Sequence, residues 1–272
     1  MSEDHPVASH YTRGDLARKI LEALEAEGKD TAKLTIDDLA PYDEFHIRGR
    51  EATIELAQWA ALSSDDRVLD VGSGIGGPSR YLAATFGCKI IGIDLTDEYC
   101  DVANGFAERV GLADAVSYRQ ADALALPFDD GSFDVAWSQH AAMNIDDKSV
   151  LYQEMYRVLK PGGKLAIYDV CRGPGEDVIY PVPWAGEPAI SYLISSLELR
   201  DHLEGAGFQI NYFHDATRET VAPRSDSEDE EPPPPPGVRL AMGEDWKAKV
   251  ANLRQNLKER RVTVVRVVAK RS

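Results

Sequence analysis

Residues 67–80 read RVLDVGSGIGGPSR, and this stretch decides the fold. Val68, Leu69 and Val71 form a short apolar run, and closely spaced glycines interrupt it before a helix-like stretch begins at Pro78. Such a run is typical of a buried strand, and the glycines indicate a tight turn. The pattern therefore predicts a strand, a glycine turn and the start of a helix.

The glycines at positions 72, 74 and 77 fit more than one kind of nucleotide site. They satisfy the dinucleotide fingerprint G-x-G-x-x-G, and Asp94 lies near the distance at which that fingerprint places a ribose-binding acid. Asp70, however, comes two residues before the first glycine, beside the expected ligand. A carboxylate there repels a pyrophosphate, whereas S-adenosylmethionine (SAM) has no phosphate and carries an ammonium and a sulfonium. The charge pattern favours SAM over a nicotinamide dinucleotide.

Four motifs in order strengthen this interpretation. They are DVGSGIGG at 70–77, IIGIDLT at 90–96, RQADALALPF at 119–128 and LKPGGKLAIYD at 159–169. Together they resemble the class I SAM-dependent methyltransferases (methyltransferase type 11, quinone-biosynthesis-like, similar to sarcosine and dimethylglycine N-methyltransferases) over about residues 66–213. The resemblance implies an α/β fold with a Rossmann-like, seven-stranded, mostly parallel sheet. It also implies helices on both faces of the sheet and an antiparallel last strand.

The resemblance implies which residues hold the cofactor. They are Asp70, Gly72, Ser73, Gly74, Asp94, Leu95, Asp122, Ala123 and Ser138. Asp70 is expected to hold the SAM ammonium, and Asp94 to accept the ribose hydroxyls unless it is a solvent-facing strand end. Leu95 is expected to pack on the adenine, whose amino group suits an acidic acceptor near Asp122. The product would be S-adenosyl-L-homocysteine (SAH), and no metal is expected.

Candidate catalytic groups follow the fourth strand, because ligands of open parallel sheets bind at the carboxyl ends of the strands. His140 titrates near neutral pH and is a candidate proton acceptor, or else a hydrogen-bonding group that fixes its loop. His46 is the second candidate. The residues predicted to wall the acceptor site are Tyr42, Phe45, Asn144, Tyr180 and Trp184. For the aromatic residues the alternative is ordinary packing, in which Tyr42 and Phe45 staple one helix to another.

Composition limits the partners of the protein. The chain has 272 residues, 43% of them hydrophobic, and a net charge of −16, which argues against nucleic acid because phosphates bind basic surfaces. Cys88, Cys100 and Cys171 lack metal-ligand spacing and are predicted to be free thiols of a reducing compartment. No stretch has the length of a membrane span, and residues 1–14 lack an apolar signal core. We expect a cytoplasmic protein that does not bind membranes.

The chain divides into two predicted parts. Residues 1–62 form an N-terminal helical lid or cap segment, of which 1–14 are expected to be mobile, and residues 63–272 form the SAM-binding methyltransferase domain. An acidic, proline-rich loop is predicted at 222–237 and an amphipathic cap helix at 244–260. The apolar stripe of that helix fits a flap over the acceptor site, a homodimer contact or a simple cap on the sheet.

The predicted function is transfer of a methyl group from SAM to a small-molecule acceptor. An amine nitrogen, as in sarcosine or dimethylglycine methylation, is the first candidate. The alternative is a C- or O-methyltransferase of a quinone, phenol or other ring metabolite. An NAD(P)-dependent oxidoreductase and a non-catalytic SAM-binding protein are further alternatives.

Overall fold

A computed structural model describes residues 6–221 and 235–272. Its strands are β1 (Arg67–Val71), β2 (Lys89–Asp94), β3 (Val116–Gln120), β4 (Phe133–Gln139), β5 (Leu159–Arg172), β6 (Phe208–Asp215) and β7 (Val262–Arg271). They form one seven-stranded sheet in the order β3-β2-β1-β4-β5-β7-β6, in which β7 runs antiparallel to its neighbours β5 and β6. The predicted mostly parallel sheet with an antiparallel last strand is confirmed.

Helices cover both faces of the sheet. They are α1 (Pro6–Tyr11), α2 (Leu16–Ala26), α3 (Ile36–Asp43), α4 (Arg50–Ala60), α5 (Gly77–Phe86), α6 (Asp97–Arg109), α7 (Lys148–Val158), α8 (Ser196–Gly205), α9 (Thr217–Val221), α10 (Pro236–Met242) and α11 (Trp246–Lys258). Apolar residues of α4, α5, α6 and α11 pack on one face, and those of α7 and α8 pack on the other. Helices on both faces bury a parallel sheet completely, as its continuous apolar strands require.

The strand order reverses beside β1. This strand pairs in parallel with β2 on one side and with β4 on the other. At such a switch point the connections after the two neighbouring strands leave in opposite directions and open a crevice at the carboxyl ends. The glycine turn after β1 and the loop after β4 therefore face each other.

The structure shifts two predicted boundaries. The proline and glycines at 161–163 predict a fifth strand that starts at Lys164. In the structure it starts at Leu159, because Leu159 pairs with Phe133 and the intervening Pro-Gly-Gly forms an irregularity before Lys164 pairs with Val135. The predicted helix at 244–260 spans Trp246–Lys258. Most of the predicted acidic, proline-rich loop, residues 222–234, lies outside the described residues, and its last two positions belong to the start of α10.

The N-terminal helices pack against the carboxyl end of the sheet. Buried residues of these helices and of α6 form one cluster together with Leu34, before α3, and Ile75 of the glycine turn. Its members are Leu16, Ile20, Leu24, Leu34, Leu39, Tyr42, Ile75, Tyr99, Val102 and Phe106. At its edge Arg80 of α5 forms a 2.7 Å ion pair with Asp43 of α3, and both side chains are 1% exposed. The N-terminal segment is thus held to the sheet by apolar packing and by a buried ion pair, while its separate role as a lid stays a prediction.

Candidate active site

A cavity of about 420 Å³ lies at the switch point. Its walls come from the glycine turn after β1, the ends of β2 and β4, the segment 43–49, and helices α10 and α11. This volume falls in the range of small-molecule sites. The sheet therefore supplies polar groups on one side of the cavity, and the N-terminal and C-terminal helices close it.

Asp70 is the buried acid at the end of β1. Its side chain is 2% exposed, and Oδ2 accepts the hydroxyl of Ser79 at 2.6 Å. Burial, and to a smaller extent the charge of Asp94, raise the pKa of this carboxyl to about 7. A buried carboxylate without a cationic partner is costly, so an added cation in the cavity would stabilise its charged form.

The turn after β1 is tied to the end of β2. Gly74 has a φ of +53° and donates its N–H to Asp94 Oδ2 at 3.0 Å, while Thr96 donates its N–H to Oδ1 at 2.9 Å. A Cβ added at Gly74 would meet only Phe45, at 3.9 Å, so a side chain there would extend into the cavity. Asp94 lines the cavity, and besides these two N–H groups its carboxylate interacts with the Thr96 hydroxyl and the Leu95 N–H.

Two buried hydroxyls on this side have no partner within residues 6–221 and 235–272. Ser73 Oγ and Tyr99 OH both line the cavity, and their side chains are 6% and 4% exposed. Buried polar atoms are almost always hydrogen-bonded, so unpaired ones in a cavity wall indicate a polar ligand. Together with Asp70 and Asp94 they fit SAM, which offers an ammonium, a carboxylate, ribose hydroxyls and an adenine.

His140 has both ring nitrogens engaged. Nδ1 lies 3.1 Å from the carbonyl of Tyr168, and Nε2 lies 3.4 Å from the backbone N–H of Ile47. Because a carbonyl only accepts, Nδ1 carries the proton and Nε2 is the acceptor. Burial, and to a smaller extent the neighbouring His46, lower the pKa of His140 to about 3. Its role as a general base stays a prediction, and the geometry supports the alternative of a group that fixes the loop.

His46 is held differently. Its Nε2 lies 2.8 Å from the carbonyl of Gly49, which fixes the proton on that nitrogen, and Nδ1 has no partner in the described part of the chain. Burial lowers the pKa of His46 to about 4, so the ring is neutral at physiological pH. Thr53 Oγ1 lies 3.1 Å from His46 Nε2 and 3.1 Å from Glu44 Oε2. Of the two histidines, His46 is the one with an uncommitted lone pair.

The rest of the cavity wall is mostly apolar. It includes Ile47, Met143, Ile145, Pro183, Trp184, Val250, Leu253 and Leu257. Asn144 adds no free polar group, because its amide donates to the carbonyls of Trp184 and Ile190 and its oxygen accepts the hydroxyl of Tyr11. This side of the cavity suits a carbon-rich molecule.

Most of the predicted site residues lie together in this wall. They are Asp70, Gly72, Ser73, Gly74, Asp94, Leu95, Asp122, Ala123, Phe45, His46, His140, Asn144 and Trp184. Three do not line it. Tyr42 packs in the α2–α3 cluster with its hydroxyl on Glu27, Ser138 donates its hydroxyl to the carbonyl of Val71, and Tyr180 packs against the core.

Sequence reasoning missed several wall residues. Tyr11 belongs to the segment expected to be mobile, yet it lies in helix α1 and bonds Asn144 at 2.8 Å. Tyr99 lies inside α6, where no motif marks it. Gln139 directly precedes His140 and lines the cavity at the end of β4. The available signal was its position beside His140 at the carboxyl end of the fourth strand, because ligands of open parallel sheets bind at that end.

The central part of the chain is similar in sequence to known methyltransferases. Residues 69–167 match the family model described as "Methyltransferase domain". A chloroplastic tocopherol O-methyltransferase of Arabidopsis thaliana is 42% identical over 118 residues, which cover 42% of this chain and 34% of that protein. Phosphoethanolamine N-methyltransferase 3 of the same plant is 39% identical over 126 residues, covering 46% of this chain and 25% of that protein.

The fold also matches solved structures. A geranyl diphosphate C-methyltransferase from Streptomyces coelicolor A3(2), solved with Mg²⁺, geranyl-S-thiolodiphosphate and SAH, superposes with a TM-score of 0.69 at 19% identity and with 100% of both chains covered. The likeness concerns the fold. The matched stretches span between about a quarter and a half of the length of the curated relatives.

Within residues 6–221 and 235–272, no group of three or more His, Cys, Asp or Glu side chains is arranged to hold a metal ion. None of the helices described above is both long and apolar enough to cross a membrane. The three cysteines are free and buried.

Proposed function

Residues 69–167 form a methyltransferase domain of the class I, SAM-dependent family, and from this premise we propose that the protein transfers a methyl group from SAM to a small-molecule acceptor. The observation that carries the proposal is Asp70, a buried acid beside a glycine turn, with no cationic side chain acting on it among the described residues. Bound SAM supplies an already activated methyl group on its sulfonium. The protein's task is then to hold the donor, align the acceptor and exclude water.

The residues divide these tasks. Asp70 would hold the ammonium, and Asp94 would accept ribose hydroxyls with the turn fixed by Gly74. Tyr99 and Ser73 offer the remaining unpaired hydroxyls of this side. Trp184 and the apolar residues of α11 would surround the acceptor and keep water away from it. If methylation requires the acceptor to lose a proton, Nδ1 of His46 would take that proton.

We propose an apolar, carbon-rich acceptor, methylated at oxygen or carbon, because the acceptor side of the cavity is lined by Met143, Trp184, Leu253 and similar residues. This reverses the order of candidates that the sequence alone favours. The amine acceptor remains the second candidate. The observation that bears on it is Glu44, a 4% exposed acid in the cavity wall. Its Oε1 is already paired with Arg50 Nε at 3.1 Å, so a cationic amine would share this acid with Arg50.

The proposal is tested by calorimetry with SAM, SAH and NADH side by side. SAM and SAH should bind with micromolar dissociation constants and NADH should not bind. Asp70→Asn should weaken the binding of both SAM and SAH, because both carry the ammonium. The exposed control Asp101→Asn should bind both as tightly as wild type does. Tighter binding of NADH than of SAM would refute the proposal. A panel of phenols, quinols and small amines, assayed by release of SAH, then separates the two acceptor classes.

We also propose a cytoplasmic location and a homodimer as the assembly. The net charge of −16 and the free cysteines support a reducing, aqueous compartment. Sedimentation of the purified protein tests the dimer, and microscopy of the tagged protein in its native cell tests the location.

A further inference from the structure

The side-chain amide of Gln139 has a fixed direction. Its Oε1 accepts the indole N–H of Trp137 at 2.9 Å and lies 3.3 Å from the hydroxyl of Thr53. An indole N–H only donates, so the atom facing it has to be the amide oxygen. The amide nitrogen is thereby turned away from Trp137 and Thr53.

The nitrogen of this amide is an unused donor. Gln139 is 7% exposed and lines the cavity, and Nε2 has no hydrogen-bond partner in the described residues. A buried amide nitrogen without an acceptor is destabilising, whereas an apolar residue of similar size would avoid that cost. The oriented, unsatisfied amide is therefore explained if a ligand atom accepts from it.

The position of Gln139 points to the acceptor and not to the cofactor. Trp137 pairs with Asp70 across β4 and β1, so Gln139 lies two residues further on, level with Gly72 and on the same face as Asp70. On its other side it pairs with Tyr168 of β5, whose ring faces His46 and His140. Of the cofactor-side acids, Asp70 stands on the strand next to Gln139, whereas Asp94 at the end of β2 and Asp122 after β3 lie further along the sheet from β4.

We propose, on the basis of the proposed function, that the Gln139 amide donates a hydrogen bond to an oxygen of the methyl acceptor. The acceptor is then an apolar molecule with a hydroxyl, phenol or carbonyl oxygen at or next to the methylated atom. An oxygen has two lone pairs, so one accepts from Nε2 while the other remains for the methyl group. An amine nitrogen has a single lone pair, and a protonated amine has none to offer Nε2.

The test uses the SAH-saturated protein and two probes of equal shape, p-cresol and p-xylene, with benzylamine as the cationic probe. Wild type should bind p-cresol about fivefold more tightly than p-xylene, as one neutral hydrogen bond allows. The side-chain ¹⁵N–¹H₂ signals of Gln139 should shift with p-cresol and not with p-xylene.

Gln139→Glu is the informative variant, because its carboxylate keeps an acceptor for Trp137 and removes the donor. It should lose the preference for p-cresol and gain affinity for benzylamine, with SAH affinity changed less than about twofold. Gln139→Leu should lose the preference without gaining benzylamine, and Gln209→Leu on the exposed side of β6 should match wild type.

Three results overturn the inference. They are a wild-type affinity for p-cresol no greater than for p-xylene, a preference retained in both Gln139 variants, and a loss of SAH affinity in Gln139→Glu with the preference intact. The last would make Gln139 a cofactor ligand. Failure of wild type to bind SAH at all would instead refute the proposed function.

Discussion

The ring of His140 joins the loop after β4 to the N-terminal segment, because its Nε2 accepts the backbone N–H of Ile47 at 3.4 Å. The same ring reaches the carbonyl of Tyr168 on β5. One side chain thus connects three parts of the cavity wall. A general base needs a free lone pair within reach of the acceptor, and this geometry commits the lone pair of His140 to the backbone.

We therefore expect His140→Gln to keep methyl transfer within about threefold of wild type, since glutamine can replace the hydrogen bonds to the backbone. His46→Gln should lower turnover by about 10² where the acceptor has to lose a proton, because glutamine cannot take it. The rates are measured as SAH release with an acceptor found in the panel.

Both histidine variants are compared by melting temperature and by SAH affinity, which should stay near the wild-type values. If His140→Gln loses activity as strongly as His46→Gln is expected to, with SAH binding intact, then His140 is the base. Equal wild-type rates in both variants across pH 6 to 9 would leave desolvation as the means of activation.

Asp94→Asn should raise the dissociation constant of SAM about tenfold or more. A charge-assisted hydrogen bond to a ligand hydroxyl contributes about 1.5–3 kcal/mol, and the amide also loses an acceptor for the N–H of Gly74 or Thr96. Calorimetry measures the constant, and Asp101→Asn on the exposed face of α6 is the matched control. An unchanged affinity in Asp94→Asn would show that the ribose does not contact this acid.

The affinity for SAM should fall at acid pH because of Asp70. Its pKa is raised to about 7 by burial in the free protein, and the SAM ammonium would favour the charged carboxylate. Protons therefore compete with SAM below the raised pKa, and the dissociation constant should rise about tenfold between pH 8 and pH 6. Asp70→Asn, which has no proton to exchange, should give a weaker and flat profile.

Asp43 is a second buried acid in the cavity wall, and burial raises its pKa although the Arg80 guanidinium opposes the shift. The Asp70→Asn profile separates the two acids, because Asp43 is retained in that variant. A wild-type affinity that is constant from pH 8 to pH 6 would show that Asp70 does not face the SAM ammonium.

Removal of the buried ion pair partner of Arg80 should destabilise the fold strongly. Asp43→Ala leaves the guanidinium of Arg80 buried, with hydrogen bonds only to the carbonyls of Ile75 and Ala103. Breaking a buried pair in this way costs about 3–5 kcal/mol of unfolding free energy. Urea denaturation measures it, with Asp37→Ala as a control whose side chain is 86% exposed. Equal stabilities of the two variants would mean that the pair contributes little.

Local sequence patterns were sufficient for the central sheet and the cofactor side. The strand, glycine turn and helix start at 67–80 are encoded within a few residues, because alternation of side chains and positive backbone angles are local properties. The capping box from Ser195 to Glu198 is likewise local, because both partners lie within four residues. Parallel strands end at one edge, so Asp70 and Asp94 had to lie near each other.

The acceptor side was decided by contacts between distant segments. Phe45 lines the cavity while Tyr42, three residues earlier, is buried against Glu27, and which of them faces the ligand depends on how α3 packs on α2. Tyr11 meets Asn144 across 133 positions of sequence. No local period encodes such pairs, because they arise only when separately folded helices close over the sheet.

For Gln139, the local sequence determines its position and the packing determines the direction of its side chain. Its place at the end of β4, directly before His140, follows from the strand pattern and the parallel sheet. The direction of its amide follows from Trp137 and Thr53, and Thr53 reaches it only because α4 packs on that face. The sequence determined where a polar group stands at the switch point, and the tertiary structure decided which of its atoms is free for a ligand, since hydrogen-bond partners are set by packing.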